Sequence, residues 1–208
     1  IASNATTTIT PWGGRDARLG NNPIGFGMPR PGSDPVILDM AISVAARAKI
    51  RRAHERGEPI PPGWATDSNG HPTTDAAQAL KGFLLPIGGH KGYGLALMVD
   101  LFAGLLSGAA YLTHVSSWQD DPDKPQDLGH CFMVIDVGRI ALASEYAKRM
   151  NDFASILHAT PAASPDRPVR LPGEIEYERL HTQRRDGIVL PVALISQLRK
   201  IAEGEATR

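Results

Sequence analysis

The sequence predicts a layered α/β fold, and three observations predict it. Short apolar runs of strand length ("IGFGM", "PVIL", "HCFMVIDV") alternate with segments whose apolar residues recur at helical spacing. Loops dense in Gly, Pro and Asn separate them, with no internal repeat and no low-complexity tract. The 208 residues, 42% of them apolar, suffice for one core, so residues 1–208 are read as a single domain.

The elements follow in chain order. Residues 11–35 ("PWGGRDARLGNNPIGFGMPRPGSDP") read as ordered loop and turn, interrupted by a short strand from Ile24 to Met28. Val36–Leu38 reads as a short buried strand entering a helix, because Ala41, Val44, Ala45 and Ala48 fall at i, i+3, i+4 and i+7. Basic residues crowd the far end of that helix (Lys49, Arg51, Arg52, Arg56) ahead of Gly57, which suits the helix dipole and a C-terminal cap and marks a solvated helix end. Residues 58–75 carry too many Pro, Gly and Asn for regular structure, and a loop of that length inside a compact domain is usually functional or a lid. Asp75 then caps a short helix, "AAQALKG".

Residues 86–110 ("PIGGHKGYGLALMVDLFAGLLSGAA") put four glycines, a histidine and a lysine ahead of a long apolar run. A membrane span needs about 20 apolar residues, and here Asp100 would sit near the bilayer centre at a cost of roughly 3 kcal/mol, with no flanking Lys/Arg cluster. The run is therefore read as a central core helix or a subunit interface. Past a polar loop, "HCFMVIDV" is an apolar strand candidate, and Ser144 opens a helix with Tyr146, Met150, Phe153 and Leu157 on one face. Another long loop, "ATPAASPDRPVRLPGE", leads toward a last helix started by Pro191, with Leu194, Ile195, Leu198 and Ile201 directed inward.

Composition restricts the function classes. Lys plus Arg equals Asp plus Glu at 22 each, so no general field draws the chain to nucleic acid or to an anionic membrane. The lone Cys131 forms no intrachain disulfide, and its apolar neighbours suggest a buried, inert thiol in a reducing compartment, by default the cytoplasm. Seven histidines show neither H-x-x-x-H nor H-E-x-x-H spacing, so no metal site is expected. No G-x-S-x-G elbow marks a serine hydrolase, and Asp120, Asp121, Asp123 and Asp127 read as solvated loop charges.

The glycines Gly88, Gly89, Gly92 and Gly94 match neither G-x-G-x-x-G nor G-x-x-x-x-G-K-[ST]. Two readings remain open for them. A glycine turn at a helix start, with Lys91 adding a full charge, can hold an anion; equally, glycines permit close packing where the chain turns into a buried helix. Asp39, at the end of its strand, can accept hydrogen bonds from a ribose or carboxamide or can cap the helix through the amide of Ala41 or Ile42.

Seven blocks, "SNATTTITPWGG", "LGNNPIGFGMPRPG", "PVILDMAISVAARAKI", "PIPPGWATDSNGHPTTD", "LLPIGGHKGYGLALMVDLFAGLLSGA", "GHCFMVIDV" and "RLPGEIE", occur in order along the chain. In this register they resemble the malate/L-lactate dehydrogenase family, which also contains ureidoglycolate dehydrogenase, sulfolactate dehydrogenase and Δ1-piperideine-2-carboxylate reductase. The resemblance implies a non-Rossmann NAD(P)-binding fold, a mixed sheet flanked by helices, usually as a homodimer. It implies an NAD(P)-dependent oxidoreductase passing a hydride between nicotinamide and a 2-hydroxy/2-keto acid, or alternatively reducing a cyclic imino acid. By the same resemblance Asp39, Met40 and Ala41 contact the cofactor, His90 and Lys91 lie along its phosphates or ribose, and Ser3 and Asn4 match a block near the nicotinamide. The loop Asp166, Arg167, Arg170, Gly173 and Glu174 matches the cofactor's other flank, where two arginines can pair with a 2′-phosphate and so favour NADP over NAD. Asn22, in "NNP" where the family has "TNP", is a candidate on the substrate side.

Family members carry an N-terminal "S-H-G"-type block and a further histidine, which supply the proton donor and a substrate-binding arginine; neither is found here. The expectation is that residues 1–208 correspond to roughly the C-terminal three-fifths of such an enzyme, a cofactor-binding domain incomplete at its N-terminus. The acid/base would then come from a missing segment or a separate N-terminal fragment. The competing expectation is a non-catalytic fragment that keeps only the fold and dimer surface. His114, His130 and His158 are read as structural, and no catalytic residue is assigned.

Overall fold

The structure is a computed structural model that describes residues 1–118 and 120–204. They fall into two compact units, Ile1–Met28 with Ile37–Tyr146, and Pro29–Val36 with the described residues from Ala147 onward.

In the first unit, β1 (Ala2–Ser3), β4 (Ile24–Met28), β5 (Val36–Met40) and β8 (His130–Cys131) form a sheet in the order β5-β4-β1-β8. Strand β1 runs antiparallel to β4 (Ala2 opposite Ile24) and to β8 (Ala2 opposite Cys131). Strands β2 (Thr7–Ile9) and β3 (Leu19–Gly20) form one antiparallel pair, β6 (Ala65–Thr66) and β7 (Pro72–Thr73) another.

Strand β4 spans the expected residues. The helix expected from Ala41 onward does not begin there: the chain stays non-helical through Ala46, and α1 runs Arg47–Glu55. The amide of Ile42 donates to the Asn21 carbonyl, Val44 donates to Leu85, and Ile87 donates back to Ile42, all within 2.9 Å. Because those backbone groups already pair with two distant segments, apolar spacing does not decide the conformation. Asp39 is consequently an exposed strand residue and not a helix cap, and β5 alternates half-buried and exposed residues instead of being buried. The guanidinium of Arg47 reaches the Leu80 carbonyl, and Gly57, at φ 66°, ends the basic turn after α1.

Regular structure also appears within residues 58–75, as the β6–β7 hairpin. Thr66 N donates to Phe83 O and Leu85 N to Trp64 O, which docks the hairpin on the chain leading to the glycine turn. Asp75 caps α2 (Ala76–Lys81) as expected, its Oδ1 accepting from Ala77 N at 2.7 Å and Gln78 N at 3.1 Å. Asp75→Ala is expected to cost about 1 kcal/mol, read as a lower urea midpoint at unchanged slope.

Helix α3 (His90–Asp100) continues into a π-helical turn, Leu101–Leu105. It sits between two apolar clusters of the first unit. Ala96, Val99 and Ala103 pack with Ile24 and Ile42, while Tyr93 and Leu97 pack against Ile9, Leu19, Ile50 and Leu84. The burial repeat of three to four residues is the one a helix between two layers requires. A second stripe, Leu95, Met98, Phe102, Leu105 and Leu106, is exposed. Asp100 is buried inside the helix because its Oδ2 accepts the amide of Leu112 at 2.9 Å, where the chain takes a positive φ of 49°.

The strand expected over "HCFMVIDV" shortens to His130–Cys131, since β1 offers only Ser3 and Ala2 as partners. Phe132–Ile135 run beyond the last paired residue and are exposed, and Cys131 is half-buried instead of enclosed.

The second unit holds most of α4 (Ala143–His158), with α5 (Glu174–Asp186) and α6 (Val192–Ala202). On the expected face of α4, Phe153 is exposed and the buried contact is made by its neighbour Ala154. Helix α5 has no apolar stripe and lay unrecognised in the sequence. Its signals are polar: Glu174 and Glu176 in the first turn, Arg184 and Arg185 in the last, and left-handed glycines at both ends, Gly173 (φ 94°) and Gly187 (φ 84°). The expected inward face of α6 is open, with Leu194, Leu198 and Ile201 exposed.

Among the described residues no helix is long and apolar enough to cross a membrane.

Candidate functional site

In the first unit the chain before α3 is pinned from two sides and then reverses through two glycines. Pro86 and Ser43 form an antiparallel bridge, and Ile87 N donates to Ile42 O at 2.8 Å. Gly88 (φ 59°) and Gly89 (φ 62°) then take conformations that side-chain-bearing residues adopt only at a cost. A Cβ on Gly89 would press the Trp12 ring at 3.1 Å, whereas one on Gly88 would meet only open space. Gly92 answers to packing alone, because a Cβ there would overlap the Ile87 carbonyl oxygen. The packing role is met at Gly92, which lets α3 press onto the segment before it, while Gly88 and Gly89 shape the turn.

Beyond the turn, Gly89 stands at the cap position of α3 with no side chain of its own to hydrogen-bond, while Gly89 N donates to Pro86 O and Lys91 N to Gly88 O. His90 and Lys91 are exposed on the first turn. The His90 ring stands edge-on to Trp12 at 5.7 Å, and Lys91 makes no ion pair among the described residues. The stitching of Ile42 to Ile87 sets the chain that follows Asp39, Met40 and Ala41 against the segment entering the turn. Asp39 is exposed there, and Met40 and Ala41 are half-buried.

Asn4 and Asn22 sit deeper. Asn4 Nδ2 donates to Ala110 O (2.6 Å) while its Oδ1 accepts from Gly129 N (2.9 Å); Asn22 Nδ2 donates to Ala96 O (2.8 Å) while its Oδ1 accepts from Ala5 N (3.1 Å). Both side chains are buried and are engaged in holding backbone. What they offer a ligand is the position of the chain around them. Ser3 Oγ donates to Asn4 O at 3.0 Å and lies half-buried at the strand's end.

In the second unit, Glu174 is the hub. Its carboxylate accepts from Leu171 N (2.9 Å), lies 2.8 Å from His158 Nε2 and 3.7 Å from Arg30 Nη1. Burial works against its charge, but the Leu171 amide, His158 and Arg30 together hold its pKa below the ordinary 4.5. Since the folded value is the lower one, the stability from this group is present above pH 4.5 and is lost as pH falls through the depressed value. In Glu174→Gln that acid-side loss should shrink, measured as a flatter dependence of Tm on pH below 4.5. Arg170 pairs with Glu178 at 2.5 Å, Arg167 N donates to Ser164 O, and Asp166 and Gly173 lie in the loop that leads to α5.

Trp12 and Arg15, which the sequence reading passed over, border the turn. With Thr66, Asn69, Gly88 and Gly89 they line a cleft of about 830 Å³ within the first unit. The available signal was the turn "PWGGR", an aromatic and a cation bracketing two glycines. Among the described residues, no group of three or more His, Cys, Asp or Glu is placed to hold a metal ion.

The sequence model of malate/L-lactate dehydrogenases matches residues 1–199. The chain belongs to this family. Among malate/L-lactate dehydrogenase relatives, it is 40% identical over 193 residues to the Δ1-pyrroline-2-carboxylate reductase of Ancylobacter novellus, which covers 93% of this chain and 55% of the relative. It is 36% identical to the (2R)-3-sulfolactate dehydrogenase (NADP(+)) of Chromohalobacter salexigens, over 96% of this chain and 57% of that one. Its fold matches that of sulfolactate dehydrogenase from Methanocaldococcus jannaschii with a TM-score of 0.84 at 33% identity, over 98% of this chain and 58% of the other. The chain spans little more than half the length of these family members.

Proposed function

We propose that the protein is an NAD(P)-dependent oxidoreductase acting on a 2-hydroxy/2-keto acid of the malate or lactate type, with residues 1–208 as a cofactor-binding domain. The observation that carries this reading is the family match over residues 1–199, together with a glycine turn open at Gly88 and a lysine with no ion pair among the described residues. The residues present fit a dinucleotide: Gly88 leaves open space, and the first turn of α3 offers the Lys91 ammonium and the His90 amide to an anion. The cofactor, when bound, supplies the hydride acceptor or donor.

The roles of this chain's own residues follow. Lys91 and the α3 amides hold phosphate, His90 braces the turn through Trp12, and Asp39, Met40 and Ala41 contact the ribose side. Ser3 and Asn4 set the backbone near the nicotinamide, with Asn22 holding the substrate side. In the second unit, Asp166, Arg167, Arg170, Gly173 and Glu174 are cofactor candidates, and the arginines favour NADP. The reading includes a non-Rossmann fold, supported by the antiparallel pairings of β1. It includes a homodimer, which the exposed apolar stripe on α3 supports, and a cytoplasmic location, the default for a chain with a single cysteine.

A cyclic imino acid is the second substrate reading, favoured by the 40% identity to a Δ1-pyrroline-2-carboxylate reductase. Titration with NADPH and NADH, following nicotinamide fluorescence, is expected to show saturable binding; no binding of either at millimolar concentration would refute the proposal. Parallel assays with malate, lactate, sulfolactate and Δ1-pyrroline-2-carboxylate separate the two substrate readings.

A further inference from the structure

The basic end of α1 holds more cations than the helix dipole accounts for. Residues 47–56 carry Arg47, Lys49, Arg51, Arg52 and Arg56 against the single carboxylate of Glu55, in a chain whose charges balance overall. A helix dipole favours cations within its last turn only, and Lys49 lies ahead of that turn. Nor does the helix end take these side chains up, because the carbonyls of Arg52, Ala53 and His54 already accept from the amides of Arg56, Glu58 and Gly57.

The cations line a built cavity instead. Lys49, Arg52 and Arg56 recur at i, i+3 and i+7, the spacing of one helix face. Gly57, at φ 66°, turns the chain back, and the returning segment completes the lining with Pro59, Pro61 and a half-buried Trp64. Ile60 anchors that segment: it is buried, and its amide donates to Thr74 O at 2.9 Å. The cavity measures about 290 Å³, at the small end of ligand pockets and too small for a dinucleotide.

Its charge is unbalanced. Lys49 and Arg52 make no ion pair among the described residues, and Arg56 is held loosely, 3.9 Å from Glu58, with both side chains largely in solvent. Glu58 is the one carboxylate of the lining among the described residues, so three positive charges meet one negative. From Lys49 to Arg56 the helix rises about 10 Å at about 1.5 Å per residue, which spreads the cations along a strip. Such a strip suits separated anionic groups on one molecule better than a single point charge, and guanidinium forks take carboxylate or phosphate equally. The indole and the proline rings offer apolar faces to the carbon skeleton between those groups.

We propose that this cavity binds a small organic anion bearing two or more carboxylate or phosphate groups, held by Lys49, Arg52 and Arg56 against Trp64. Its lining shares no residue with the glycine turn or the cleft beside it, so the inference stands independently of the proposed function.

The test titrates citrate, fructose 1,6-bisphosphate and acetate calorimetrically into the protein at fixed ionic strength. Saturable binding of citrate or of the bisphosphate, about tenfold or more tighter than acetate, is expected, and the tighter of the two tells carboxylate from phosphate. Lys49→Ala combined with Arg52→Ala is expected to weaken that probe by about tenfold or more. Arg51→Ala removes a charge from the same helix outside the cavity and should change it by less than about twofold, as should Lys91→Ala at the glycine turn. All four side chains are exposed, and unchanged thermal unfolding of each variant verifies its fold. Equal weakening by Arg51→Ala would reduce the site to the field of a basic helix and overturn the proposal. Loss of binding in Lys91→Ala would overturn it by moving the anion to the head of α3. So would the absence of saturable binding of either polyanion at about 10 mM, or a hexaglutamate peptide binding more tightly than both, which would make this a protein-docking surface.

Discussion

Replacing Gly92 by alanine is expected to destabilise the protein by about 3 kcal/mol, at the upper end of what overpacking a close contact costs. The added methyl would overlap the Ile87 carbonyl oxygen, and that atom is backbone, which cannot rotate away. Relief requires α3 to lift from the segment that bonds Ile42, which would loosen the contacts of Ala96 and Val99 with Ile24 and Ile42. Gly94, two residues on, faces open space, so Gly94→Ala supplies the control and is expected to be neutral or slightly stabilising through helix propensity. Urea denaturation of the two variants checks this. Equal stabilities would mean that the glycines of this stretch are not there for packing.

Lys91→Ala is expected to weaken NADPH binding by about 1–3 kcal/mol, the range for a charge-assisted bond to phosphate. Thermal stability should stay unchanged, because Lys91 is exposed and makes no ion pair among the described residues. Lys91→Arg should retain most of the affinity, and the wild-type advantage should narrow as salt rises. A dissociation constant for Lys91→Ala equal to that of the wild type would leave the turn with a packing role only.

Strand β4, the Asp75 cap and the family were legible from residues, because each depends on short-range chemistry or on ordered motif blocks, whereas α3 begins at His90 and takes in Gly92 and Gly94, which were read as lying ahead of it. The start of α1 was not. Ala41, Val44 and Ala45 have helical spacing, but Ile42 and Val44 bond to Asn21 and to Leu85–Ile87, segments distant in the chain, and no local pattern announces such pairing. Helix α5 escaped because its signals are end charges and glycines, not periodicity. "HCFMVIDV" reads as a strand on hydropathy, but the partner β1 offers only two residues to pair. For the site, the residue types at Asp39–Ala41 and Gly88–Lys91 were visible, while the internal engagement of Asn4 and Asn22 and the cleft beside Trp12 exist only in three dimensions.

The account stands on an anion resting at the head of α3, beside Lys91 and the His90 amide. Hydrogen–deuterium exchange with and without saturating NADPH measures this directly, since an amide without an intrachain acceptor, as at His90, exchanges freely until a ligand accepts from it, and the weak bonds of Gly89 and Lys91 to Pro86 and Gly88 protect little. Slowed exchange across Gly88–Gly92 on adding NADPH, absent in Lys91→Ala at the same concentration, is the predicted result. Saturation by NADPH that leaves those amides exchanging at their free rate would contradict it.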